Sequence, residues 1–244
     1  MCWFSLGWSR SVIWQGSAAE MNLDPVLGSI AFLIPAYNEE ATVADVVAVT
    51  LRSGLGEVVV VSDGSIDQTV QVARDAGARV IALEKNVGKG GAVAAGVKAI
   101  KAQTMILLDA DLKNLTVFHL HQLLEPVRTG HAETTVGLFS GGRGSTDFGN
   151  RITPKWSGQR AIPHATLANV NGLEDRKYAI ELAITDQIER EGLRLQYVRL
   201  EGVSQVMKEE KRGFLGGLSR RVKMYWQIAH YAIFERRKAN KRSV

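Results

Sequence analysis

Between Ile30 and Asp111, short β-branched or apolar runs alternate with stretches of helical apolar spacing, and nothing else in the chain constrains its fold as strongly. Strand and helix in alternation is the pattern of right-handed βαβ units, which build a mostly parallel sheet covered by helices. The runs Ile30 to Ile34, Glu57 to Ser62, Arg79 to Leu83 and Thr104 to Leu108 read as strands. Thr42 to Leu51 carries a helical stripe, Ser65 with Gln68 forms a capping-box pattern opening a helix through Val72, and Ala92 to Ile100 supplies a third helix. Leu115 to Arg128 is a further helical stretch, and the polar, glycine-rich region from Gly141 to Trp156 reads as an active-site loop.

A chain of 244 residues is long enough for one sizeable α/β domain and short for two. The expected division is an N-terminal extension over residues 1–29, one domain over 30–205 and a basic helical segment over 206–244. Met21 lies just upstream of the first strand-like run, so the first segment reads as an extended start and is assigned no function. A single cysteine, Cys2, excludes an intrachain disulfide or a cysteine metal site and fits a reducing, cytoplasmic compartment. The net charge of +5 is concentrated from Lys208 onward, which points to an anionic partner or surface, and no nucleic-acid partner is expected. Apolar stretches fall short of the roughly 20 residues that cross a bilayer.

In a parallel sheet, ligands bind beyond the carboxyl ends of the strands. Here those ends carry Pro35-Ala36-Tyr37-Asn38-Glu39-Glu40, Asp63-Gly64-Ser65, Asn86-Val87-Gly88-Lys89-Gly90 and Asp109-Ala110-Asp111. Asp109 and Asp111 follow an apolar strand and present hard oxygen ligands suited to Mg2+ or Mn2+; an isolated pair of this kind is more often a turn or helix cap. Asp63 can accept a hydrogen bond from a nucleobase imide N–H while Gly64 admits close approach of the backbone, or it can belong to a capped turn. Gly88-Lys89-Gly90-Gly91 has the makings of a phosphate cradle at a helix start, with Lys89 as a point charge.

The order and spacing of PAYNEE, DGSIDQT, NVGKGGA and DAD over Ile30 to Leu112 resemble the family 2 glycosyltransferases of the GT-A fold. The resemblance implies a Rossmann-like α/β domain, a nucleoside-diphosphate-sugar donor, most often uridine-linked, and a divalent metal. Carried over by position, it implies that Pro35, Ala36, Tyr37 and Glu39 frame the nucleoside, Asp63 binds the base, Lys89 and Asp109 contact the donor, and Asp109 with Asp111 binds metal. Further on, Ser157-Gly158-Gln159-Arg160-Ala161 and Tyr178-Ala179-Ile180-Glu181 resemble acceptor-side segments of glucosyl-3-phosphoglycerate synthase-like and polyprenyl-phosphate sugar transferases. Those relatives can place a metal-binding His after a late strand, where this chain offers Gln205.

For the catalytic base, Glu181 fits one register and Asp175, next to Glu174, fits another, with the two acids six residues apart on an expected helix; a reaction with no enzymic base is the third option. Arg160 could bind an acceptor phosphate or carboxylate, or form a helix-surface salt bridge. The leading expectation is transfer of a sugar to an acceptor hydroxyl or phosphate, with inversion favoured over a retaining synthase-like reaction. Two rivals are a sugar nucleotidyltransferase, which needs an arginine-containing glycine-rich loop where this chain has PAYNEE, and a nucleotide-sugar-binding protein without turnover. Leu218 to Lys238 repeats apolar residues at helical spacing between flanking cations, so an amphipathic helix is expected there, packed on the core or lying on a membrane beside a lipid-linked acceptor.

Overall fold

The structure, a computed structural model, describes residues 27–140, 157–174 and 180–206. Its strands are β1 (Ile30–Ala36), β2 (Glu57–Ser62), β3 (Arg79–Ala82), β4 (Thr104–Leu107), β5 (Leu112–Lys113), β6 (Thr134–Ser140), β7 (Arg160–Pro163), β8 (Leu195–Glu201) and β9 (Ser204–Gln205). The helices are α1 (Val43–Ser53), α2 (Thr69–Asp75), α3 (Lys89–Ala99), α4 (Val117–Arg128), α5 (His164–Ala168) and α6 (Ile180–Glu191). Seven strands form one sheet in the order β3-β2-β1-β4-β7-β6-β8, in which β7 alone runs antiparallel to its neighbours, and β5 with β9 forms a small separate ribbon. This is the mostly parallel α/β sheet expected from the alternating pattern.

Both faces of the sheet are apolar, as a helix-covered parallel sheet requires. Phe32, Ile34, Val58, Val60 and Ile106 pack into one layer with residues of α1 and α4. Their chain neighbours Ala31, Leu33, Val59, Val61, Met105 and Leu107 pack into the other with α3, α5 and α6. Each such Val, Leu, Ile, Phe or Met side chain contributes about 1.5–3 kcal/mol on full burial. The ends of β1, β2 and β4 are thereby held side by side, and the loops that follow them share one rim.

Several boundaries differ from the sequence pattern, each for a local reason. β1 continues through Pro35 and Ala36, which pair with Val61 and Ser62 of β2. The carbonyl of Leu33 accepts from Leu108 N–H on the β4 side, so two residues on, the imide nitrogen of Pro35 faces the same side, past the end of β4. The missing N–H therefore costs no ladder bond. The Ser65 capping box does not form: α2 begins at Thr69, and the Ser65 hydroxyl instead accepts from Asn38 N–H and bonds the Ser62 hydroxyl. α3 begins at Lys89 rather than Ala92, with Gly90 and Gly91 in the first turn. α4 begins at Val117, where Thr116 and His119 form the capping box.

The expected loop from Gly141 to Trp156, the helix from Leu218 to Lys238, and residues Asp175 and Tyr178 lie outside the described residues. No helix among the described residues is long and apolar enough to cross a membrane.

Candidate active site

The loops after β1 and β2 are laced together. Asn38 N–H donates to Ser65 Oγ at 3.1 Å, Ile66 N–H to Asn38 Oδ1 at 3.0 Å, and Glu39 N–H to Thr69 Oγ1 at 2.8 Å. Pro35 and Ala36 form the floor of this junction inside β1, Tyr37 stands exposed beyond them, and the Glu39 carboxylate accepts from the Thr42 hydroxyl at 3.2 Å.

Asp63 is only 4% exposed, and both its oxygens are engaged. Oδ1 accepts from Val87 N–H at 2.7 Å and Oδ2 from Gly88 N–H at 2.9 Å, so the carboxylate clamps the loop that leads into α3. This clamp is not legible in the sequence, because the partners are 24 and 25 positions away. Gly64 is required beside it for two reasons: its φ is +65°, and a Cβ would stand 2.5 Å from Asn86 N and Lys85 C. The close backbone approach expected at Gly64 is thus the chain's own.

Lys89 is the first residue of α3, at the end of the helix where unpaired N–H groups and the dipole favour anions. Its ammonium donates to Asp109 Oδ1 and to Glu181 Oε1, each at 2.6 Å. Burial alone would push the Lys89 pKa down, but the two carboxylates outweigh it and hold the pKa above the ordinary lysine range. Asp109 stands just past β4, and its Oδ2 accepts from Gln159 Nε2 at 2.8 Å and from Gln205 Nε2 at 2.6 Å. Gln205 arrives by way of the β5–β9 ribbon, in which Leu112 pairs with Gln205 and Val206 N–H donates to the Asp111 carbonyl. Gly158 lies directly over the cluster, where a Cβ would come within 2.7 Å and 2.8 Å of the Asp109 oxygens and 2.8 Å of Lys89 Nζ.

The structure therefore brings Lys89, Asp109 and Glu181 together and sets Asp111 at the adjoining turn. Glu181 lies in the first turn of α6, whereas Glu174 sits in a turn. Arg160 departs from the expectation of a helix-surface ion pair: it opens strand β7 and has no solvent exposure. Its fork points inward, Nε to the Ser157 carbonyl at 2.9 Å and Nη1 to Thr185 Oγ1 at 3.0 Å. Burial pushes the guanidinium down to about 10, with Glu181 and Asp109 opposing, so it stays charged at neutral pH. Gln159 as a partner of Asp109 was not legible in the sequence. Among the described residues, no group of three or more His, Cys, Asp and Glu side chains is placed to hold one metal ion.

Known proteins share this layout. Glycosyltransferase AglJ of Haloferax volcanii is 34% identical over 108 residues, covering 44% of this chain and 35% of that protein. Undecaprenyl-phosphate 4-deoxy-4-formamido-L-arabinose transferase of Edwardsiella ictaluri is 36% identical over 96 residues, covering 35% of this chain and 30% of that protein. The chain thus spans about a third of the length of these curated relatives. Among solved structures, glucosyl-3-phosphoglycerate synthase from Mycobacterium tuberculosis, in complex with Mn2+, uridine diphosphate and glucosyl-3-phosphoglycerate, superposes with a TM-score of 0.63 at 25% identity, covering 86% of this chain and 84% of that one. The family model described as glycosyl transferase family 2 matches residues 31–181, more than half of the chain and every strand end just described from β1 to the start of α6, and the chain belongs to that family.

Proposed function

We propose that the chain transfers a sugar from a uridine-diphosphate sugar to an acceptor hydroxyl or phosphate, with Mg2+ or Mn2+ at the donor diphosphate. The observation that carries this reading is the position of Lys89: a cation at a helix N-terminus, between a carboxylate that follows the donor-side strand β4 and a carboxylate on α6. Lys89 and the α3 N–H groups bind the diphosphate. Asp63, held rigid by Val87 and Gly88, keeps acceptor capacity for an imide N–H, since a carboxylate offers about four lone-pair positions. Tyr37, with Pro35, Ala36 and Glu39, frames the nucleoside.

The donor chemistry around Asp111 fits a hard divalent ion, which is usually bound by one or two carboxylates together with substrate phosphates. Asp111, with the Gln205 amide on the neighbouring strand, would hold it, and Asp109 would share it only by loosening its contacts to Lys89, Gln159 and Gln205. Such an ion offsets charge on the departing nucleotide. Glu181 takes the proton of the acceptor hydroxyl in an inverting transfer, and Lys89 fixes that carboxylate in place. Asp175 remains the rival base.

The name of the Edwardsiella relative supports a lipid-phosphate acceptor, for which the basic, apolar-striped segment from Leu218 to Lys238 would supply surface attachment. A second reading, a retaining transfer to a small phosphorylated acid, is supported by the superposition on the synthase, which covers 86% of this chain.

The test is a thermal-shift screen of nucleotide sugars with and without Mn2+, followed by product analysis with undecaprenyl phosphate and with 3-phosphoglycerate. A ligand specific for the native state at 100 times its dissociation constant stabilises by about 2.7 kcal/mol. Stabilisation by a uridine-diphosphate sugar, enhanced by Mn2+ and followed by glycosylated product, is the expected result; the product's anomer separates inversion from retention. No stabilisation by any nucleotide sugar rejects the donor assignment, and binding without turnover on either acceptor points to a binding protein.

A further inference from the structure

Among the described residues, Arg160 is the largest side chain with no solvent exposure, and the reaction described above does not use it. A buried guanidinium is seldom kept for stability alone, because an apolar side chain of similar volume usually serves as well. Its contacts suggest another reason. Nη1 donates to Thr185 Oγ1 at 3.0 Å, and that hydroxyl donates to the Glu181 carbonyl at 2.8 Å, one turn back on α6. Nε donates to the Ser157 carbonyl at 2.9 Å. Ser157 begins the segment in which Gly158 lies over Asp109 and Lys89, where a Cβ would meet both, and Gln159 bonds Asp109. The Ser157 hydroxyl is itself tied to the Gly137 carbonyl of β6 and to Gln159 Oε1. One planar fork therefore joins the helix carrying Glu181 to the segment lying over Asp109.

We propose that Arg160 is a positioning residue, which sets the first turn of α6, and with it Glu181, at a fixed distance from the Lys89–Asp109 pair. This rests on the reading of Glu181 as the group acting on the acceptor. Buried and bonded to Ser157 and Thr185, Arg160 acts through α6, so its loss moves the acceptor-side carboxylate and leaves donor binding alone. Displacement of a reacting group by about 1 Å can cost a factor of about 10² in rate.

Three variants test this: Arg160→Met, which removes charge and fork, Arg160→Lys, which keeps the charge and loses the fork, and Thr185→Val, which keeps the guanidinium and removes the hydroxyl that joins Arg160 Nη1 to the Glu181 carbonyl. Removing a buried guanidinium can unfold the chain, so Thr185→Val is the decisive variant, with its fold checked by circular dichroism and thermal melting. Expected for Thr185→Val is a kcat lower by about tenfold, with donor KM and calorimetric affinity for uridine diphosphate and Mn2+ within about threefold of the parent. Arg160→Met falls by about a hundredfold, and Arg160→Lys falls between the two. A folded Thr185→Val with unchanged kcat, or one losing donor affinity in step with kcat, overturns the proposal. Glu181→Gln is assayed alongside. If it is fully active, the base reading fails by itself, and amide hydrogen exchange over Ile180 to Ile184 decides for Arg160: faster exchange in Thr185→Val and Arg160→Lys supports the tie, and unchanged exchange rejects it.

Discussion

Lys89 and Glu181 stand 92 positions apart in the chain and meet at 2.6 Å, Nζ to Oε1. The same ammonium reaches Asp109 Oδ1 at 2.6 Å, so a single cation holds two carboxylates delivered by different elements, the end of β4 and the first turn of α6. Without it, the two acids would repel across a partly buried gap.

Lys89→Met should therefore destabilise the fold as well as reduce turnover. The cost should fall between the roughly 1 kcal/mol of an exposed pair and the roughly 3–5 kcal/mol of breaking a buried one, because these side chains keep partial solvent contact. The folded pKa of Lys89 is raised above its ordinary value of 10.5, so its contribution is fully present below that value and is lost only as pH climbs through the folded pKa. Urea denaturation of parent and variant should show a stability difference that stays flat from pH 7 to about pH 10. A gap that closes near neutral pH would show that Lys89 is not held by the carboxylates.

Asp63→Ala should weaken both the loop and the donor site. Val87 and Gly88 N–H lose a charged acceptor, and hydrogen bonds to charged groups contribute about 1.5–3 kcal/mol. Calorimetry with uridine diphosphate should show weaker binding, and melting should show a lower Tm. A variant with parental stability but weakened nucleotide binding would mean that the clamp contributes little and that Asp63 acts on the base alone.

Asp111→Ala should leave the fold intact, since the backbone carbonyl that ties this residue to Val206 beside β9 is kept. Turnover should drop by about 10²–10³, the usual consequence of losing one preorganised electrostatic contact. Titration of Mn2+ with uridine diphosphate, followed by electron paramagnetic resonance, should show the ternary affinity falling in parallel. Chelation of the parent by EDTA should give the same loss, restored by Mg2+ or Mn2+. Full activity of Asp111→Ala at saturating metal would move the metal elsewhere.

His119 links stability to pH. Its pKa is lowered by burial, with a hydrogen bond to the Glu201 backbone opposing, and Thr116 N–H donates to its Nδ1 at 3.1 Å, which requires that nitrogen to be unprotonated. A depressed histidine contributes stability above the ordinary value of 6.5 that is lost as pH falls from there through the folded pKa. The parent Tm should therefore drop between pH 7.5 and pH 5 by more than that of His119→Gln. Equal drops would rule out His119 as the source.

Much of the donor side was legible because its determinants are local. The end of β2 and the Asp63-Gly64 turn follow from a β-branched run stopped by turn residues, and the start of α3 follows within three residues from glycines and a helical pattern. The Ser65 capping box was misread for a physical reason: a hydroxyl that suits a helix start bonds equally well across to Asn38 in the adjoining loop, and one-dimensional spacing cannot choose between them. Arg160 stood open between an acceptor contact and a surface ion pair because arginine is seldom fully buried, and the acceptors on Ser157 and Thr185 help to make its burial tolerable.

By itself, then, the sequence determined the α/β architecture, the order of motifs along the sheet rim and the residue types gathered there, because strand and helix periods and turn chemistry are set by near neighbours. The tertiary structure alone decided which charges meet. Asp109 takes Lys89 from 20 positions away, Gln159 from 50 and Gln205 from 96. Such pairings depend on strand order, on the antiparallel course of β7 and on the β5–β9 ribbon, and these are settled when two apolar sheet faces are buried together, a balance that no local stretch of sequence contains.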